Sequence, residues 1–518
     1  MDILERYAEA LKLYRGKNFD SALKIVKELK TAAPRWKKVF LLEIFIRREQ
    51  GEFLKALTLL DGLLPRLDMD SADDKDLIVD AFNCLGAVSR FFGYTEDAVN
   101  AFCLSASLSN NKKACEEISN ALFAANSSEN FSAEDFRALY AEYKKYLSDI
   151  TPYAKKFYNH KKIRVGFLSC NFQWSVVMSW SWYLFNGTLD GNLFDIYCYS
   201  SVDKADEVTE LFKTIIKNWR DIYDLTDEQA AEVIRADEID VLFELDGHTA
   251  GNRLRVAAYR PASVQMSGIG YMNSTGLECF DYFLSDIYCA GDENFFTEKV
   301  IKLPHSHICY EPPVKHEPAA YPPCLKNNFV TFGSFNHFGK VTDSILIAWK
   351  KILDAVPHSR LILKHKIFDT TDGIAFVADR LKSFGFDLSR VEMRPFSSHH
   401  HFLEYADIDI ALDTFPYTGG VTTCEALYMG VPVISLYGNR HGARFGLSIL
   451  KNVGLGELAV NSYDNYINRA VALASDWDLI FILRKNLRGM MKKSRLMDSE
   501  SYVREFEQVL KSVVNARE

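Results

Sequence analysis

Two hydrophobic rhythms divide the chain. From residue 1 to about 125, apolar positions recur at the spacing of amphipathic helices. A local signature repeats within this region: GKNFDSAL begins at Gly16, GEFLKAL at Gly51 and GYTEDAV at Gly93. The alanines of these motifs, Ala22, Ala56 and Ala98, stand 34 and then 42 residues apart. Thirty-four is the tetratricopeptide period, with a small residue where two helices touch and a proline after the second helix. Pro34 falls twelve residues after Ala22, as that pattern wants, and the acidic insertion Leu67–Asp76 accounts for the longer second interval. The pattern predicts two and a half to three helical hairpins over 1–125, a generic helical bundle being the alternative. So short an array leans on the next domain for stability, and its concave face suits a protein or peptide partner.

A polar break, Ala125–Asp135, opens a helical linker over 126–160, and the rhythm then changes. IRVGFLSC (163–170), FDIYCYS (194–200), IDVLFEL (239–245), VQMSGIGY (264–271) and YFLSD (282–286) read as strands, with EQAAEVIRADE (228–238) a helix between two of them. The pattern restarts after Pro322 with FVTFGSF (329–335), RLILKHK (360–366), RVEMRPF (390–396), IDIALDT (408–414) and VPVISLY (431–437). Apolar strands alternating with helices predict parallel sheets covered on both faces. Hence the expected fold is α plus α/β: helical repeats, then two Rossmann-like domains over 161–322 and 323–518. Ligands of such a pair bind at the carboxyl ends of the strands facing the cleft. The last helical stretch, SYVREFEQVLKSVV, is placed to brace the first block.

Composition narrows the class. At 518 residues the chain exceeds one core, and its 48% apolar and 25% charged content is that of a folded globular protein. A net charge of −8 argues against a general nucleic-acid binder. The ten cysteines include no C-x-x-C pair, so neither a zinc site nor a disulfide framework is indicated, and reduced thiols are expected. The amino terminus lacks a signal-type apolar core, and no run of about 18 apolar residues predicts a membrane span. These features together predict a cytoplasmic protein.

The densest chemistry lies in LDTFPYTGGVTTCEALYMGVPV, Leu412–Val433. A strand ends at Asp413, Pro416, Gly419 and Gly420 break the chain, and Thr422 and Thr423 open a helix. Such a start leaves backbone N–H groups unpaired at the positive end of the helix dipole, where phosphate binds well. The competing reading is an ordinary αβ junction in which Thr422 and Glu425 form a capping box.

In order, the motifs IRVGFLSCNF, DGHTAGNRLRVAAYRPASVQMSGIGY, FGSFNHFGKV and LDTFPYTGGVTTCEALYMGVPVISLYGNRHGARFGLSIL resemble the catalytic region of the O-linked GlcNAc transferases, a family that includes the Spindly-type enzymes. The resemblance covers roughly Lys161 to Glu518. It implies a GT-B glycosyltransferase that takes a sugar from a nucleotide diphosphate and transfers it, with inversion, to a protein side chain. No metal or other cofactor is expected. Lys340 matches the family's phosphate-binding lysine, and His337 stands where better-known members carry glutamine. Thr422 and Thr423 match the pair that contacts the diphosphate, Gly420 keeps that approach open, and Val421 replaces a histidine of the animal enzymes. Glu425 falls where the ribose hydroxyls are accepted. Of His399, His400 and His401, only His401 matches a histidine against the uridine diphosphate, and the other two are read as surface. Arg440, His441 and Arg444 face the same cleft.

From the first block, Asp246 and His248 are the candidates to receive the acceptor's proton; the alternative is a capping Asp with a backbone-satisfied His. Arg253 and Arg260 position the loop. Thr249, Asn273 and Ser274 border the sugar pocket. Two departures stand out. Ser175 and Ser179 occupy the places of two family histidines, which removes histidine base catalysis from that loop. Met272 and Asn273 replace the Pro-Gly of a P-G-T-S-G turn, which bears on the sugar. The expected partners are a UDP-sugar, by default UDP-N-acetylglucosamine, and a protein Ser or Thr held partly by the repeats. Alternatives are another donor, an asparagine acceptor, or a non-catalytic repeat protein with a cleft that senses a nucleotide sugar.

Overall fold

The computed structural model describes residues 2–314, 316–397 and 400–516. Helices Ile3–Arg15 and Phe19–Ala32, Lys37–Glu49 and Phe53–Leu63, and Lys75–Phe92 and Thr95–Leu108 form three successive hairpins. Ala22, Ala56 and Ala98 are fully buried, each on the second helix of its hairpin. Only a side chain this small lets two helices approach closely. The third hairpin turns at Gly93, whose φ of 86° is a left-handed helix cap.

Helices Asn111–Ala125 and Ala133–Lys145 pack together as a fourth pair. The second of these lies within the stretch expected to be a linker. A capping box between Ser132 and Asp135 starts it. Its Phe136, Tyr140 and Tyr143 are buried with Leu254, Phe280 and Phe295 of the first sheet domain, so it continues the stack onto that domain.

The first sheet has seven parallel strands: β1 (Ile163–Ser169), β2 (Phe194–Ser200), β3 (Asn218–Asp221), β4 (Val241–Glu244), β5 (Val264–Gly268), β6 (Tyr282–Asp286) and β7 (Lys299–Leu303), in the order β3-β2-β1-β4-β5-β6-β7. The second has six: β8 (Thr331–Ser334), β9 (Arg360–Lys364), β10 (Val391–Arg394), β11 (Ile410–Leu412), β12 (Val433–Leu436) and β13 (Ala459–Val460), in the order β10-β9-β8-β11-β12-β13. Every pairing is parallel. The strand order reverses between β1 and β4 in one sheet and between β8 and β11 in the other. At those two points the crevices for ligands open.

Three contacts tie the parts together. Helix Ser499–Asn515 returns to the first sheet, where Phe506 lies 5.5 Å from the Phe243 ring. Arg444 donates to the carbonyls of Tyr288 (2.7 Å) and Gly438 (2.8 Å), joining the two sheet domains. The repeats touch both sheets: Phe92 packs on Phe376 at 4.4 Å, and Asn126 donates to the Tyr271 hydroxyl at 3.2 Å. Among the described residues no helix is long and apolar enough to cross a membrane.

Candidate active site

The second sheet assembles the anion-binding groups. After β11 the chain crosses Asp413 and the glycine turn, and helix Val421–Tyr428 starts with Gly420 as its N-cap and no side-chain cap. The capping-box reading therefore fails here. The Thr422 hydroxyl donates to Asn336 (2.9 Å) and Glu425 turns elsewhere. The first backbone N–H groups of this helix have no partner within it. Asp413 is buried and accepts from the Gly419 and Thr414 N–H groups (2.6 and 2.8 Å) and from the Ser435 hydroxyl (2.7 Å). Burial pushes its pKa up to about 6, against the pull of these bonds and of Lys340.

Lys340 ends a short 3-10 turn, Phe338–Lys340, just beyond β8. Its ammonium stands 3.4 Å from the centroid of the Tyr417 ring. Burial lowers its pKa to about 8, opposed by the charge of Asp413. His337 Nδ1 accepts from the Gly339 N–H at 3.1 Å, so the neutral ring carries its proton on Nε2. Part of this residue is exposed. Desolvation among its neighbours, followed by His365, Arg90, Lys340 and Lys366, nonetheless holds its pKa well below the ordinary imidazole value. Arg90 comes from the repeats, and its guanidinium lies 5.0 Å from the Phe123 ring. The end of helix Lys75–Phe92 thus abuts the lysine turn: a Cβ on Gly339 would meet the Arg90 carbonyl at 2.5 Å.

Glu425 and His401 form a second cluster. Lys364 donates to His401 Nδ1 (3.2 Å), which leaves Nε2–H to donate to Glu425 (3.0 Å); the Tyr405 hydroxyl adds a longer bond at 3.4 Å. His400 is exposed, and His399 lies outside the described residues. Thr423 is buried at the same helix start. With Asn336, Asp413 and Thr422 it lines a recess of only about 10 Å³. From the other domain, Trp180 roofs this turn, and a Cβ on Gly420 would stand 2.6 Å from its ring. The Trp180 Nε1–H is buried without a partner.

The first sheet treats its candidates differently. Asp246 is 1% exposed and accepts from the Ser169 hydroxyl (2.7 Å), the Cys170 N–H (2.7 Å) and the Asn171 amide (2.8 Å). It clasps the ends of β1 and β4. His248 is also 1% exposed. One nitrogen bonds the Ser119 hydroxyl (2.9 Å) and the other the Thr275 carbonyl (2.8 Å), and burial lowers its pKa to about 4. Both side chains are thus engaged inside the protein, Asp246 by three donors and His248 through both ring nitrogens, which favours the alternative of a structural Asp and a satisfied His. The carboxylate that caps the DGHT turn is Glu244, which accepts from the N–H groups of Asp246 (2.8 Å) and Gly247 (2.9 Å). Burial, then Asp246, raises its pKa to about 8. An acidic residue inside the apolar run IDVLFEL is the signal that sequence reading passed over.

The remaining loop residues are held by the scaffold. Asn273 donates to Asn126 (3.2 Å), while Ser274 and the Thr275 N–H bond the buried Glu298 (2.5 and 2.8 Å). Thr249 has a buried hydroxyl without a partner and lines a cavity of about 710 Å³. That cavity runs between Ser119 and Asn120 of the repeats and Cys170, Asn171 and Asn252 at the strand ends. Arg253 donates to the carbonyls of Ile222 and Leu225 (both 3.0 Å), and Arg260 to Asp281 (2.7 Å); both position loops. Arg440 donates to the Ala125 carbonyl at 3.3 Å and binds repeats to cleft. Ser175 caps helix Val176–Ser181 by accepting from the Met178 N–H at 3.3 Å, and the Ser179 hydroxyl turns back to the Ser175 carbonyl at 3.5 Å.

The whole chain superposes on a lysine-to-methionine variant of the Thermobaculum terrenum O-GlcNAc transferase with a TM-score of 0.85. The match covers 100% of this chain and 98% of that one at 25% identity. Over 328 residues the chain is 41% identical to a tomato (Solanum lycopersicum) protein named as a probable UDP-N-acetylglucosamine–peptide N-acetylglucosaminyltransferase, SPINDLY. That alignment takes in 62% of this chain but only 35% of its relative. An Arabidopsis thaliana protein of the same description, SEC, is 26% identical over 363 residues, 67% of this chain and 36% of its own. The chain thus spans about a third of the length of these plant relatives. Residues 144–311 and 320–506 match the glycosyl transferase family 41 pattern, which bears out the resemblance carried by the four motifs. By this match, with the two parallel sheets and helical repeats, the chain belongs to glycosyl transferase family 41.

Proposed function

We propose that the chain is an inverting, metal-independent protein glycosyltransferase that moves N-acetylglucosamine from its UDP donor to a Ser or Thr hydroxyl. The observation that carries this reading is the pairing of Lys340 with the uncapped helix start at Gly420–Thr423. A diphosphate leaving group gains charge as the sugar–oxygen bond breaks. Fixed N–H dipoles and an ammonium, already desolvated, stabilise that charge without rearranging. The Trp180 and His337 N–H groups flank the same space as further donors. Glu425, oriented by His401, has lone pairs left for the ribose hydroxyls. The names of the plant relatives and of the bacterial structure support the donor and the acceptor class.

The acceptor side is the 710 Å³ cavity, with the repeats forming one wall. Because Asp246 and His248 are buried and held by scaffold hydrogen bonds, the hydroxyl proton leaves through water or a donor phosphate oxygen as the oxygen attacks the anomeric carbon. Trp180 packs closely over Gly420 at the helix start, so a diphosphate reaching those N–H groups has to displace its ring.

Calorimetry against UDP-N-acetylglucosamine, UDP-glucose, UDP-galactose and GDP-fucose tests the donor. The N-acetylglucosamine donor should bind most tightly, and Glu425→Gln should raise its Kd by about tenfold while kcat stays within about threefold. A different preferred sugar would overturn the donor assignment. Binding of none of the four would overturn the function.

A further inference from the structure

We infer that Cys289, His307 and His441 form a buried zinc site that fastens the two sheet domains together. Their ligand atoms lie within 4.8 Å of one another, and the three residues are 0%, 1% and 0% exposed. Cys289 follows β6 and His307 follows β7 in the first sheet domain. His441 belongs to the 3-10 turn His441–Ala443 after β12 in the second. Nothing in the glycosyl transfer proposed above uses them.

Orphaned nitrogens point to a missing ligand. His307 Nδ1 lies 2.6 Å from the buried carboxylate of Asp286, which also accepts from the His307 N–H (3.1 Å) and the Ser448 hydroxyl (2.8 Å). This fixes the proton on Nδ1 and leaves the lone pair on Nε2, which has no partner. The His441 ring has only a loose backbone contact, with Met272, and neither of its nitrogens makes a hydrogen bond of good geometry. Its ring is walled by Phe283 (5.2 Å), Phe445 (5.3 Å) and His307 (5.0 Å). Buried imidazoles left unbonded are rare and call for an explanation. The Cys289 thiol spends its weak donor on the His441 carbonyl at 3.4 Å.

The donor set selects the ion. One thiolate and two imidazoles suit a borderline-soft d10 cation, and a carboxylate behind one histidine is the arrangement that orients zinc ligands. A divalent ion, the Cys289 thiolate and the Asp286 carboxylate sum to zero charge, which an apolar pocket requires. On binding, the thiol proton leaves to solvent, one Zn–S and two Zn–N bonds form, a water carried in with the ion keeps the fourth place, and no electron is transferred. Ligand atoms around zinc stand about 3.5 Å apart, so the cluster contracts by roughly 1 Å when loaded. The ion would also steady the diphosphate turn, since the Gly442 carbonyl accepts from both the N–H (3.1 Å) and the hydroxyl (3.0 Å) of Thr418.

The test is metal content by mass spectrometry on the full chain after dialysis against zinc and gel filtration, together with the absorption spectrum of the cobalt-loaded protein. About one equivalent of zinc, and a thiolate-to-cobalt band, are expected. Cys289→Ser should abolish the band and His441→Phe should cut zinc retention at least about tenfold, while Cys103→Ser, remote from the site, should change neither. A chelator should lower the melting temperature of the native chain. Zinc well below one equivalent, another metal in its place, or a cobalt spectrum without the thiolate band would overturn the proposal. The spectrum of the unaltered chain decides the matter even where a variant fails to fold.

Discussion

Lys340→Ala should lower kcat by about a hundredfold to a thousandfold while the protein melts at or slightly above the temperature of the unaltered chain. The ammonium sits in a desolvated wall whose opposing charge is Asp413, and burial has already drawn its pKa down to about 8. Removing it relieves a partly buried, desolvated cation in the free protein and costs the transition state more than the bound donor. The pH dependence follows with a definite sign. Between about 8 and the unfolded value of 10.5, the unfolded chain keeps a proton that the folded chain has shed, so this group makes stability rise with pH. Donor affinity should fall over the same range, because the neutral amine no longer meets the diphosphate. Opposite trends in melting and binding, both lost in Lys340→Ala, identify the residue. A kcat change below about threefold in a normally melting variant would remove Lys340 from the mechanism.

His248→Ala should do the reverse, destabilising the fold by about 2–4 kcal/mol while turnover per folded molecule stays within about threefold. The imidazole is wedged between the Ser119 hydroxyl of the repeats and the Thr275 carbonyl, with the Tyr143 ring at 5.2 Å and Tyr271 at 5.5 Å. Its loss opens a void and orphans both partners. With a pKa near 4 it is a poor acceptor of a proton at neutral pH, and its lone pair is already engaged by the Ser119 hydroxyl. Denaturant melting beside steady-state kinetics separates the two roles. A variant that stays stable yet loses turnover would restore His248 as the acceptor's base.

These two residues differ in what the sequence can say of their surroundings. Thr422, Thr423 and Glu425 can be picked out locally, since a strand end, a glycine turn and a helix start lie within one short stretch, whereas Lys340 and His401 lie outside it and are named through the family resemblance. His248 sits in an equally recognisable motif, but its partner Ser119 is 129 residues away on the repeats, and no periodicity reports that packing. The same applies to Asp246, whose donors lie at the end of β1. Strand rhythm revealed ten of the strands because they are apolar. The three it missed, β3, β7 and β13, are sheet edges. The first two are half-exposed or polar and the third is two residues long, as edges that must not pair further tend to be. The cysteine–histidine cluster was invisible for a related reason: its members come from three separate strand ends, so no spacing rule unites them.

The most direct test of the central claim is transfer itself. The full chain is incubated with UDP-N-acetylglucosamine labelled in the sugar and a mixture of Ser- and Thr-containing peptides, without added divalent metal, and the label is located by mass spectrometry. The account predicts β-linked N-acetylglucosamine on peptide hydroxyls with no divalent metal added, and label cut by about a hundredfold or more in Lys340→Ala. Labelling that requires added divalent metal, or an intact donor and unmodified peptides after prolonged incubation, would contradict it.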